Sequence, residues 1–181
     1  KNGHKLAGRF TTLAEVLGEA GYQTAAFVSS IPLRAKFGFD QGFEHYDDLF
    51  TVEGRSLGRP DGGRLDRRAE RTTEAVSKWM ADRHDPRPLF VWVHYVDPHA
   101  PYQAPTGFEA DWPAATTQRI KAYDGEIRFA DSQLGRLVYV FERSGPKAGT
   151  LTVVTSDHGE GLGQHGWMFH GLNLYEEAVR I

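Results

Sequence analysis

Leu89-Phe90-Val91-Trp92-Val93-His94-Tyr95, introduced by Pro86 and Pro88, is a nearly unbroken apolar run rich in β-branched and aromatic residues. Its length and composition mark a strand buried on both faces, the pattern of a parallel sheet. Such a strand needs parallel neighbours and helical crossovers. Thr24-Ala25-Ala26-Phe27-Val28, ending in Ser29-Ser30 and stopped by Pro32, is a second run of this kind, and Leu151-Thr152-Val153-Val154-Thr155 is a third. Helical periodicity precedes each one. Thr12-Leu13-Ala14-Glu15 has the spacing of a capping box, Leu13, Val16, Leu17 and Ala20 share a face, and Gly21 stands where a left-handed cap is expected. Leu65 to Arg83 reads as a second helix, with Ala69, Thr72, Val76, Trp79 and Met80 on one side. Ile120, Tyr123, Ile127, Ala130, Leu134, Leu137 and Phe141 recur in steps of three and four, a long amphipathic helix ending at Ser144-Gly145-Pro146. Three helix-then-strand units predict an α/β fold with a largely parallel sheet flanked by helices. Residues 32–63, rich in Gly, Asp, Phe and Pro without period, read as a long ordered surface excursion.

The chain has 181 residues, 40% of them hydrophobic and 25% charged, which is length for about one domain with a real core. A net charge of -3 with interspersed signs gives no electrostatic reason to expect nucleic acid or an anionic membrane as partner. The basic run from Arg64 to Arg71 is broken by Asp66 and Glu70 and reads as a solvated helix face. No window approaches the roughly 18 consecutive apolar residues of a membrane span, and the first residues lack the apolar core of a signal peptide. The absence of cysteine excludes disulfides, thiolate metal sites and a cysteine nucleophile within these residues, and leaves the compartment open. With no Met at position 1 and an apolar-rich stretch at 178–181, the chain is expected to be part of a single catalytic domain, cut at both ends.

Ligands of open α/β sheets bind beyond the carboxyl ends of the strands. The first strand runs into Ser29 and Ser30, the second into His94, Asp97 and His99, and the third into Asp157 and His158, with His165 and His170 shortly after. Asp157 and His158 offer a carboxylate oxygen and an imidazole nitrogen, donors suited to a divalent cation, and Gly159 lets the strand break into a turn there. Alone, an Asp-His-Gly is more often a turn with a helix cap. The two prolines of Asp97-Pro98-His99-Ala100-Pro101-Tyr102 fix φ and hold His99 in a set direction, as a catalytic group requires; an exposed exit-loop histidine is the plainer alternative. His170 can donate to an oxyanion or leaving group, or be a core histidine bonded to a carbonyl. His4, His45 and His84 lie on unpatterned polar segments and read as structural. Asp124, Glu126 and Asp131 read as the surface side of the long helix, and Glu160 and Glu176 receive no chemical role from spacing. Phosphate loop, Gly-x-Ser-x-Gly elbow and His-Glu-x-x-His helix are all absent, which removes those reaction classes as leading readings.

Thr155-Ser156-Asp157-His158-Gly159-Glu160-Gly161-Leu162-Gly163-Gln164-His165-Gly166, followed by His170-Gly171 and Leu174-Tyr175-Glu176-Glu177-Ala178-Val179-Arg180, resembles the metal-binding second half of sulfatases, in the alkaline phosphatase superfamily. Thr12 to Glu15, Ala20 to Ala25, Gly38 to Phe43 and His94 to Tyr102 extend the resemblance over nearly the whole chain. It implies an alkaline-phosphatase-like sandwich that hydrolyses a sulfate ester of a small molecule or carbohydrate. It also implies a formylglycine, made from Cys or Ser in a Cys/Ser-x-Pro-x-Arg motif expected upstream, beside one divalent cation, usually Ca2+. Asp157 and His158 look like two of its ligands. His99 resembles the histidine that contacts the sulfuryl group and assists the leaving oxygen, and His170 falls where many relatives place a lysine. Ser29-Ser30 stands in place of the Gly-Lys-x-x-His of many sulfatases. The paired N-terminal aspartates of the cation site are expected upstream, so these residues alone are expected to be inactive. A histidine ligand keeps Mn2+ and Zn2+ open. A phosphonate or phosphate ester hydrolase or phosphoryl transferase is the alternative, and a non-catalytic binding module the second.

Overall fold

The computed structural model describes residues 4–49, 66–109, 111–114, 116–144 and 149–181. Three strands, β1 (Gln23–Phe27), β2 (His45–Asp47) and β3 (Leu89–Val93), form a wholly parallel sheet in the order β2-β1-β3. The register sets Ala25 beside His45 and Val91, and Phe27 beside Asp47 and Val93. Because side chains alternate across a strand, Ala25, Phe27, Val91 and Val93 share one face and Thr24, Ala26, Phe90 and Trp92 the other. The first face packs on α2 (Ala69–Ala81) and α3 (Gln118–Ser144) through Val76, Met80 and Leu137, with Trp79, Tyr95 and Phe141 around them. Phe27 is fully buried there, a burial worth roughly 1.5–3 kcal/mol. On the second face Phe43 stacks on Phe90 and Trp92, and α1 (Leu13–Glu19) approaches Thr24 at Gly18.

The capping box expected for α1 is present: Thr12 Oγ1 accepts from Glu15 N at 3.2 Å while Thr12 N donates to Glu15 at 2.7 Å. The Gly38–Phe43 turn locks onto it, with Gln41 Nε2 donating to Glu15 at 2.9 Å and Thr12 Oγ1 donating to Gln41 O at 3.1 Å. Gly42 permits this approach, since its φ is +85° and a Cβ there would lie 2.5 Å from Glu15 N.

Several sequence expectations are corrected. In α1 the buried residue is Ala14, and Leu13 and Val16 are exposed, because a seven-residue helix meets the sheet along the narrow Ala14 and Gly18 side. The excursion at 32–63 contains β2 and two 3-10 turns, Ile31–Leu33 and Ala35–Phe37; its residues 50–63 lie outside the described residues. β3 is half-buried rather than sealed on both faces. The second helix begins at Ala69, and Leu65 lies outside the described residues. Arg67 is no solvated basic residue: it is buried, pairing with Asp47 at 2.8 Å and donating to Thr72 Oγ1 and the Val28 carbonyl. Ile127 on α3 is exposed, and Glu126, read as surface-facing, is fully buried. The run Leu151–Thr155 forms no strand among the described residues, and Leu151, Val153 and Val154 are 90%, 76% and 67% exposed. A β-branched run becomes a strand when a neighbour supplies a ladder, and none pairs with it here.

Candidate active site

The segment leaving β3 is fastened at both ends by buried carboxylates. Asp97 accepts from Ala69 N at 2.8 Å, capping the start of α2. Glu126 on α3 accepts from His99 N at 3.2 Å and Gln103 N at 2.9 Å, and Arg68 donates to Gln103 O at 2.5 Å. Between these ties the exposed His99 ring bonds through Nδ1 to Ala100 O at 2.8 Å. A carbonyl only accepts, so Nδ1 carries the proton and Nε2 is left free.

The segment after Thr155 folds back on α4 (Glu176–Val179). Gly159 N donates to Ala178 O at 3.1 Å, and a Cβ at Gly159 would lie 2.2 Å from Glu177 O, so the contact requires glycine. This docking brings His158 and Glu160 toward the His99 loop. His170 is the centre of the cluster: its ring stacks on His158 at 4.0 Å and stands 5.7 Å from the His99 ring. Glu160, its side chain 7% exposed, holds His170 Nδ1 at 3.2 Å from each oxygen and accepts from Tyr102 Oη at 2.5 Å. Burial first, and then the bond to Glu160, hold the Tyr102 hydroxyl well above the usual phenol range, so it stays a donor. Arg119 lies over the Tyr102 and Phe169 rings and donates to Met168 O, tying the His170 segment to α3.

Asp157 Oδ2 and His158 Nε2 face each other at 3.5 Å. His158 Nδ1 bonds to Gly159 O at 2.8 Å, which fixes the tautomer with its Nε2 lone pair on the Asp157 side. The two donors fit part of a divalent cation site, though no group of three or more His, Cys, Asp or Glu gathers for one among the described residues. The Nδ1 of His94 is buried without a hydrogen bond, and burial lowers its pKa against the opposing pull of Asp157 and Asp66.

Of the five histidines expected at the sheet edge, His99, His158 and His170 come together. His165 does not join them; it pairs with Glu177 at 2.9 Å and stacks on Tyr175 at 4.2 Å. Ser29 is buried, bonded to His94 O and Thr72 Oγ1 at 2.6 Å each, a structural role. His45 is packed against Phe27 and Trp79, and His4 and His84 are exposed. Sequence reasoning missed Glu160, Glu126 and Tyr102. Tyr102 and Glu160 stood within the motifs already singled out, whereas the helical spacing of Glu126 carried no sign of burial. It also passed over Ser30-Ile31-Pro32-Leu33-Arg34, which has the Ser-x-Pro-x-Arg spelling. There Ser30 Oγ donates to Asp66 at 3.2 Å and Arg34 pairs with Asp48 at 3.7 Å, around a 3-10 turn.

A family model described as Sulfatase matches residues 1–181. A 134-residue stretch is 25% identical to an arylsulfatase of Clostridium perfringens (strain 13 / Type A), covering 55% of this chain and 28% of the relative. A 64-residue stretch is 38% identical to an N-acetylglucosamine-6-O-sulfatase of Bacteroides thetaiotaomicron, covering 35% of this chain and 11% of the relative. The crystal structure of the lipoteichoic acid synthase LtaP from Listeria monocytogenes matches with a TM-score of 0.58 at 22% identity, over 75% of this chain and 34% of that one. That likeness bears on the fold alone, which is the α/β arrangement of a parallel sheet flanked by helices that was expected. The chain spans about a third of the length of these proteins, or less.

Proposed function

The chain belongs to the sulfatase family, and on that premise we propose that it supplies part of the active site of a metal-dependent sulfuric ester hydrolase whose nucleophile, a formylglycine, lies upstream of Lys1 rather than at Ser30, whose hydroxyl is bonded to Asp66 and whose motif arginine, Arg34, pairs with Asp48. The observation that carries the reading is the meeting of His99, His158 and His170, from two segments far apart in sequence, at centroid distances of 5.7 and 4.0 Å. Asp157 and His158 would hold the cation, Ca2+ in the leading reading with Mn2+ or Zn2+ as alternatives. Bound there, the ion supplies neutralising charge for the sulfate oxygens. His99, its ring exposed and Nδ1–H held by Ala100 O, delivers a proton from Nε2 to the departing alcohol oxygen when the ring is in its doubly protonated, imidazolium form, and is left as the neutral Nδ1–H imidazole. His170, oriented by Glu160, offers its other nitrogen to the same group. The arylsulfatase and N-acetylglucosamine-6-O-sulfatase relatives support a small-molecule or carbohydrate sulfate as substrate.

The test is hydrolysis of a matched aryl sulfate and aryl phosphate by the complete protein. A kcat/KM favouring the sulfate is expected; a ratio favouring the phosphate makes the protein a phosphoryl-transfer relative, and turnover of neither leaves a binding module.

A further inference from the structure

We propose that Glu126 is a positioning residue for His99, acting through the backbone of the loop that carries it; the inference rests on the sulfate-ester reading above. Glu126 is fully buried on α3, a costly place for a carboxylate unless hydrogen bonds replace its water. Its oxygens accept from His99 N at 3.2 Å and Gln103 N at 2.9 Å, so one side chain fixes both ends of the segment from His99 to Gln103. The imidazole of His99 bonds to the carbonyl of its own neighbour, Ala100, so the ring turns with the backbone. Glu126 therefore sets where Nε2 points. Removing an acceptor leaves a part-buried amide unsatisfied, and the loop has to shift to recover it. A proton donor displaced by about 1 Å can lose on the order of 100-fold in rate.

This role has a kinetic signature that general loosening lacks. A displaced proton donor matters most where the leaving oxygen is basic, and least where it departs readily as an anion. The experiment compares complete wild-type enzyme with Glu126→Gln, which keeps shape and turns one acceptor into a donor, on a sugar sulfate and on an activated nitrophenyl sulfate. Both are repeated in a His99→Ala background. On the sugar sulfate kcat is expected to fall by about 10–100-fold with KM little changed, and on the nitrophenyl ester several-fold less. With His99 absent, Glu126→Gln is expected to add less than about twofold, since residues acting as a unit are not additive. Equal losses on the two esters, or losses that multiply in the His99→Ala background, overturn the proposal while the sulfate reading stands. Wild-type enzyme that turns over neither ester overturns the sulfate reading and this inference with it. Should Glu126→Gln lose its folded circular dichroism, Glu126→Asp, which keeps the charge and shortens the reach, goes through the same comparison.

Discussion

His45 shows how a residue's chemistry follows from what it touches. Its ring lies 5.1 Å from Phe27 and 5.4 Å from Trp79, stacked on the latter, and burial lowers its pKa against a smaller opposing effect of Asp47. A histidine held neutral by folding takes up protons more readily when unfolded. Its contribution to stability is therefore complete above the unfolded value of about 6.5, and drains away as pH falls from there through the lower folded value. The urea midpoint is expected to be lower at pH 5.5 than at 7.5, with a smaller difference in His45→Phe; an unchanged difference would show that other groups carry it. Nothing in the local sequence announced this role, since the strand that presents His45 is three residues long and its partners come from β1 and α2. The pair Asp157 and His158 was legible as a candidate for cation binding because its spacing is local. Glu160 was not, because what marks it is the arrival of Tyr102 from a distant loop.

At the scale of elements, what could be read was what the chain encodes within a few residues of itself. The Thr12 to Glu15 capping box and the left-handed Gly21 lie where cap chemistry puts them, and α3 is the long helix expected, but its buried side runs through Glu126, Phe129, Gln133 and Leu137 and leaves Ile127 exposed. The misreadings involve partners: Leu151 to Thr155 has a strand's composition without a ladder, and the apolar side of α1 faces outward. The junction of α1 with the Gly38–Phe43 turn gives a graded test. Thr12→Ala removes one cap and is expected to cost about 1 kcal/mol. Gly42→Ala should cost more, because it combines a φ of +85° with a Cβ 2.5 Å from Glu15 N. Chemical denaturation of both variants checks the order; Gly42→Ala proving the milder change would contradict the close approach.

For the molecule as a whole, two long excursions are brought face to face, one leaving the parallel sheet after β3 and one following Leu151–Thr155, which lies outside the sheet. If the Asp157–His158 pair holds a cation, binding belongs to the folded state alone and stabilises it, by about 2.7 kcal/mol when the ion stands at 100 times its Kd. Thermal unfolding of the complete protein should then shift upward on adding Ca2+ and return with chelator, and Asp157→Ala should abolish the shift; an equal shift in that variant would remove Asp157 from the ligand set. The fastening of the His99 loop has an evolutionary corollary. Its ties run through His99 N, Ala100 O, Gln103 N and Gln103 O, all main-chain atoms. The side chains of Ala100 and Gln103 therefore take no part in these ties. If His99 releases the alcohol as proposed, those two positions form a rewritable margin beside a fixed histidine, where descendants could change which alcohol is recognised without relearning how to release it.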